Sequence, residues 1–271
     1  MYTATSGALV AQSAVDTIAN NLANVNTAGF KQKLLQIQAQ PQIALYRIQT
    51  DPGRQPNART SGVPVADPIG TLGTGAQIYD TPSDFAQGSL STTGNDLDVA
   101  LAGPGFFTTQ AGDGTRAYTR DGSFQRDQNG YLVAGNGDRV LGVGGAPIQL
   151  PDQGKVQIAR DGTVTVTPTG AGQTNVAQTV GQLQITEFAN LNALRPQGAA
   201  RYVDTGAAQP AAATRTTALQ GSLETSNANV VTSMVGLITN ERWFDMNVQM
   251  IQAQDTTTGQ AIQAVGRSSP T

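Results

Sequence analysis

Ala4, Ala8, Ala11, Val15, Ile18, Leu22 and Val25 recur at alternating intervals of four and three residues. That interval keeps side chains on one face of an α-helix, and an unbroken apolar line at it is a heptad seam. The seam begins with alanines, so a partner backbone can come close. Asn20, Asn21, Asn24 and Asn26 crowd its end. Asparagine is a poor helix former and Gly29 suits a left-handed cap, so the helix is expected to stop between Asn24 and Ala28. A longer seam closes the chain. Val230, Met234, Leu237, Phe244, Val248, Ile251, Ile262 and Val265 share one lattice, interrupted by Glu241, Asp255 and Thr258 and flanked by a row of Trp243, Met246, Met250 and Ala253. Thr225-Ser226-Asn227 offer cap residues before it. A helix from about Ala228 to Gly266 is roughly 58 Å long at 1.5 Å per residue, well beyond the mean of about 11–12 residues in globular domains. By pattern alone, the two helices satisfy each other inside one domain as well as they satisfy neighbouring copies. Length favours the copies, because the first helix is too short to cover the second.

Between the ends the pattern changes twice. Lys31 to Tyr46 is glutamine-rich and weakly alternating, and Pro52, Gly53, Pro56, Gly62, Pro64 and Pro68 follow. This reads as an extended connector over 31–76, with 50–61 also compatible with a disordered linker. From about Gln77 to Phe188, short apolar runs such as Leu97–Leu101, Gly105-Phe106-Phe107, Tyr131–Val133 and Val164–Val166 alternate with turn residues. Asp113-Gly114, Asp121-Gly122, Asn129-Gly130, Asn136-Gly137 and Asp161-Gly162 are hairpin signals. The expected fold is α+β: a terminal helical domain of 1–30 plus 226–271, and a central antiparallel, sandwich- or barrel-like domain over 77–204. Residues 205–225, rich in alanine and threonine, are expected to be a return connector.

Chemistry is thinly represented. The 271 residues contain no cysteine and no histidine, which removes nucleophilic thiols, the commonest general base and the usual zinc ligands. Net charge is −3 and the basic residues are scattered, so no nucleic-acid face is expected. No run approaches the roughly 20 apolar residues of a membrane span, and residues 1–14 do not read as a cleavable secretory signal. Asp96 and Asp98 would share a face if they lay on a strand, but no ligand cluster accompanies them. Asp127, Asn129 and Gly130 open like a calcium loop, yet Asp138 stands where the bidentate glutamate belongs, and a hairpin turn explains them better. Gly70, Gly73 and Gly75 lack the phosphate-loop lysine and read as backbone punctuation. Arg116, Arg120 and Arg126 are expected to pair locally with Asp113, Asp121 and Asp127. Glutamate occurs only at 187, 224 and 241, a poor supply for a glycosidase pair. No catalytic, cofactor-binding or metal site is expected.

Ala19–Lys31 (ANNLANVNTAGFK) resembles the N-terminal signature of flagellar rod, hook and hook-associated proteins, with Asn20, Asn21, Leu22, Ala23, Asn24, Thr27, Gly29 and Phe30 as its motif residues. Leu223–Val231 is similar to the start of the C-terminal helix of that family. Phe85–Leu90, Thr93–Ala100, Gly105-Phe106-Phe107 and Tyr118–Phe124 are similar to its β-domain. The resemblance implies a structural, non-enzymatic subunit that leaves the cell through the flagellar export apparatus without a cleaved signal. It implies helical polymerisation with copies of itself and other rod and hook proteins, in the periplasmic rod of the basal body. The terminal helices would pack as an inner coiled coil with the β-domain outside. On that reading Ala11, Val15, Ile18, Leu22, Val25, Val230, Met234, Leu237, Phe244, Val248 and Ile251 are the subunit-packing residues. No cofactor, nucleic acid or membrane insertion is implied. The chain is short for a hook protein, which favours a rod subunit. The start at Met1-Tyr2-Thr3-Ala4 and the layout of 40–75 lean towards the proximal over the distal rod. A hook-type axial protein is the nearest alternative. A secreted β-rich adhesin would account for the middle but not the paired seams, and an enzyme acting on peptidoglycan would need a carboxylate pair in a cleft.

Overall fold

The computed structural model describes residues 2–47, 67–168, 176–198 and 200–267. The stretch 50–61 and the tail beyond Arg267 lie outside the described residues. The chain is α+β, with a helix at each end and antiparallel strands between them. It divides into two compact units, one gathering residues 1–16, 35–81 and 236–271, the other 17–34 and 82–235.

Helix α1 spans Tyr2–Ala23 and ends just before the expected stop. The Asn24 side chain donates to the Asn20 carbonyl at 2.9 Å, beside the Asn24 N–H. That local bond competes with the helical ladder and starts the unwinding. Gly29 does adopt a left-handed φ of 66°, but well past the helix, where it serves a different purpose described below. Helix α2 spans Val230–Arg267. Its cap is Asn229, whose Oδ1 accepts from the N–H groups of Val231 at 2.9 Å and Thr232 at 3.2 Å. The three residues expected to cap it are engaged elsewhere: Thr225 bonds the Ser89 carbonyl, Ser226 accepts from the Ala228 N–H, and Asn227 ties down Gln32.

In the first unit, the connector carries more structure than its sequence signals. Gln36–Ala39 pairs with Ala76–Asp80, and Ile43–Arg47 pairs with Asp67–Leu72, both antiparallel. Gln36–Ala39 is exposed throughout, so its weak Gln-Ile-Gln-Ala alternation buries no face. Gly75 is more than punctuation: a Cβ there would lie 2.1 Å from the Ser6 hydroxyl oxygen of α1.

The second unit is organised by Phe106–Gln110. This strand pairs with Arg116–Thr119 on one side and with Arg139–Val140 and Ile185–Phe188 on the other. Strand side chains alternate, so Phe106 and Phe107 enter opposite faces, and both are fully buried. Phe107 packs edge-on to Phe124 at 4.8 Å, among Val99, Leu101, Leu132, Val140, Val164 and Leu183. Phe106 meets Phe188 at 5.6 Å and Tyr202 at 6.0 Å in a second cluster. Among the described residues the main sheet stays open, its path running from Leu194–Pro196 to Gln125–Arg126. The expected return connector supplies three more strands. Pro210–Ala212 pairs with Ile185–Phe188, Thr217–Gln220 with Val99–Ala102, and Ser222–Glu224 with Leu90–Thr92. Its small side chains fit the interior: Ala218 is buried in the Phe107 cluster.

Candidate assembly site

Two segments far apart in sequence meet inside the second unit. Lys31 follows the Gly29-Phe30 turn and Glu224 ends a strand, 193 positions later. Lys31 Nζ lies 2.5 Å from Glu224 Oε1, and both side chains are fully buried. Arg120 Nη1 reaches Glu224 Oε2 at 3.1 Å, with its guanidinium carbon 4.8 Å from the centre of the Phe106 ring. Two further bonds support the cluster: Gly88 N–H donates to Glu224 Oε1 at 2.9 Å, and Lys31 Nζ to the Ala86 carbonyl at 2.7 Å, while Arg120 Nε is buried without a partner. Burial pulls Lys31 below the ordinary lysine range, although the Glu224 carboxylate pushes the other way; burial likewise lowers Arg120. Breaking one partner of such a cluster costs far more than the cluster gains over apolar packing, so it acts as a specific clasp.

Main-chain bonds complete the clasp. Gly29 N–H donates to the Glu224 carbonyl at 2.8 Å, and Asn227 N–H to the Phe30 carbonyl at 3.4 Å. Gln32 N–H donates to Asn227 Oδ1 at 2.8 Å, and the Asn227 amide reaches the Asp84 and Ala86 carbonyls. Asn21 holds Lys33 by both its N–H and its carbonyl, at 2.8 and 2.9 Å. Gly29 has no room for a side chain, since a Cβ would sit 2.3 Å from the Asp121 nitrogen. Thr27 Oγ1 donates to Asn24 Oδ1, Phe30 is buried, and Asn20 and Ala23 are exposed. Sequence reasoning quoted Lys31 and Glu224 within motifs without seeing the pair, and assigned Arg120 to local aspartates. The available signal was scarcity: a lysine and one of only three glutamates, each inside a motif. Of the other arginines, Arg126 pairs with Asp152 rather than Asp127.

The helices present a different surface. In the first unit Ala4, Ala8 and Ala11 of α1 are buried and Val15 is half-buried. Gly7 faces Asn247 of α2, where a Cβ would come within 2.8 Å of Oδ1. Leu237, Phe244, Val248 and Ile251 are half-buried. The neighbouring row is open, with Trp243 58 % exposed and Met246 and Met250 more than half exposed, and the seam itself opens further along at Ile262, 67 % exposed. In the second unit Ile18, Leu22 and Val25 are half-buried, while Val230 and Met234 are exposed.

The candidate chemical sites dissolve into turns. Asp96 is exposed, whereas buried Asp98 accepts from Thr93 Oγ1 at 2.6 Å and Asn95 Nδ2 at 3.1 Å, so the two carboxylates do not share a face. Asp127 Oδ1 accepts from the N–H groups of Asn129 and Tyr131 within one hairpin turn. Among the described residues no group of acidic side chains is placed to hold a metal ion, and no helix is long and apolar enough to cross a membrane.

Comparison with known proteins matches this layout segment by segment. Residues 1–31 match the flagella basal body rod protein family, 100–166 the flagellar hook protein FlgE/F/G D1 domain, and 219–264 the flagellar basal body rod FlgEFG protein C-terminal family. The chain is 36 % identical to the flagellar basal-body rod protein FlgG of Buchnera aphidicola subsp. Schizaphis graminum, over 89 % of this chain and 90 % of the relative. The chain belongs to the flagellar basal-body rod protein family. As a member it is a structural component of the flagellar basal body, a subunit of the rod. Two further relatives come from one organism, Caulobacter vibrioides: its FlgG at 31 % identity, over 94 % of this chain and 95 % of the relative, and its FlgF at 30 %, over 98 % of each. Identity therefore does not separate the two rod proteins. The rod-family matches at 1–31 and 219–264 include both sides of the Lys31–Glu224 clasp and most of both helices.

Proposed function

We propose that this rod subunit polymerises helically through its terminal helices, which pack as a coiled coil with copies of the chain and with other rod and hook proteins. In the assembled shaft, 1–30 and 226–271 form the axial core, 31–76 leads out of it, and a sandwich-like β-domain over 77–204, joined by the strands of 205–225, lies outermost. The observation that carries this is the open row of Trp243, Met246 and Met250 beside the half-buried Leu237, Phe244, Val248 and Ile251, with the seam residue Ile262 also exposed. A contiguous exposed apolar surface of this kind marks an interaction site. The chain reaches its periplasmic position through the flagellar export apparatus and performs no catalysis. The lean towards a proximal position rests on the layout of 40–75, much of which lies outside the described residues; complementation of separate proximal- and distal-rod deletions decides it.

Trp243→Asp and Leu237→Asp place a carboxylate in the proposed contact, at a cost of several kcal/mol if it stays dry. Both variants are expected to keep the thermal transition of the β-domain and to abolish rod assembly and swimming. Normal swimming by both would refute helix packing as the mode of assembly.

A further inference from the structure

A groove of about 830 Å³ crosses the β-domain, and neither the clasp nor the helices use it. Its lining includes Arg116 and Tyr118 of one strand, Arg160 and Asp161 of a turn, Gln184 and Thr186, and Pro210–Ala213. Three features of this groove are unspent. Arg116 and Arg160 are exposed and have no carboxylate partner among the described residues. Gln184 Oε1 is buried without a donor. Among the described residues the Pro210–Ala212 strand pairs only with Ile185–Phe188, so its other edge is open.

The register identifies which main-chain groups that edge offers. Thr186 is opposite Ala212, and Ala213 N–H donates to the Ile185 carbonyl at 3.2 Å. Antiparallel pairs alternate between bonded and non-bonded. Thr186–Ala212 is therefore non-bonded, and the Ala212 N–H and C=O point to the free edge. A ligand that fits must bring carboxylates for two guanidinium groups, an N–H donor for Gln184, and a backbone that can pair with an edge strand. That is an extended acidic polypeptide binding by strand addition, where main-chain bonds hold it and side chains select it. Asp113, Asp121, Asp127 and Asp161, the last in the groove's own lining, sit in tight turns and accept bonds there, so none of these four belongs to an extended segment that could add as a strand.

We infer that this groove is a docking site for an extended acidic segment of a different protein. The inference is independent of helix packing and is tested on purified full-length chain by fluorescence anisotropy. The probes are end-capped, labelled eight-residue peptides alternating Thr with Glu, Gln or Lys. The Glu peptide is expected to bind, to weaken as salt rises, and to lose at least about tenfold in affinity in the Arg116→Gln/Arg160→Gln variant. Ala212→Pro, which removes the outward N–H at an edge position that tolerates proline, is expected to lose several-fold while leaving the salt dependence in place. No binding of the Glu peptide, equal binding of Glu and Gln peptides, or full affinity in the arginine variant overturns the inference. Circular dichroism of each variant verifies that the domain remains folded.

Discussion

The β-domain and the helical unit bury their side chains in opposite ways. Around Phe106–Gln110 the chain closes two clusters with large side chains, Phe106, Phe107, Val99 and Leu101 among them, that water does not reach. In the helical unit the buried side chains of α1 are Ala4, Ala8, Ala11 and Ala14, while Trp243, Met246, Met250 and Ile262 of α2 face outward. A buried methyl is worth about 0.8 kcal/mol and a buried phenylalanine about 1.5–3 kcal/mol. The first region completes its own core. The second has the backbone of a core and lacks the covering layer, which under the proposed helix packing is the neighbour's surface.

The widest contrast comes from truncating one aromatic in each region. Phe107→Ala is expected to destabilise the β-domain by about 3–5 kcal/mol in urea unfolding, whereas Trp243→Ala in the monomer should shift it by less than about 0.5 kcal/mol. Comparable losses would dissolve the distinction. The clasp gives the next effect. Glu224→Leu strands Lys31 and Arg120 as buried cations and is expected to cost about 3–5 kcal/mol. The combination of Glu224→Leu with Lys31→Met and Arg120→Met should recover most of it, and failure to recover would mean that the charges themselves hold the segment.

A smaller effect appears in alkali. Burial pushes the Tyr202 hydroxyl from 10.0 up to about 12. Its neutral form is thus favoured by folding. The stabilisation is complete below pH 10 and lost as pH rises through the folded value, at most roughly 3 kcal/mol. Tyrosinate absorbance should show a late step near pH 12 in the native protein that Tyr202→Phe lacks.

The parts of the molecule that were legible in the sequence are those in which one face differs from the other. Both helices announced themselves through seams, and the hairpins through Asp-Gly and Asn-Gly pairs. The ribbon of Gln36–Ala39 with Ala76–Asp80 was read only as an extended connector, because its weak alternation sits among glutamines and buries no face. The strands after residue 209 were hidden by alanine and threonine, which pack as well as they loop. The clasp was missed for another reason: Lys31, Arg120 and Glu224 converge only after the sheet has formed, and pairing arginines with sequence-near aspartates follows distance along the chain rather than in space. Asn229 was passed over as the α2 cap for three earlier polar residues that the clasp region consumes.

The clasp also has a mechanical meaning. The chain enters the β-domain at Gly29–Lys33 and leaves it at Glu224–Asn227, and these two points are bolted to each other. Tension drawn on the two ends of the chain therefore closes its circuit through Gly29–Glu224 and Gln32–Asn227. The stretch between Lys31 and Glu224, 193 positions apart, stays slack until those bolts shear. When the ends are strained, the load path runs past the folded sheets rather than through them, and their strands keep their register.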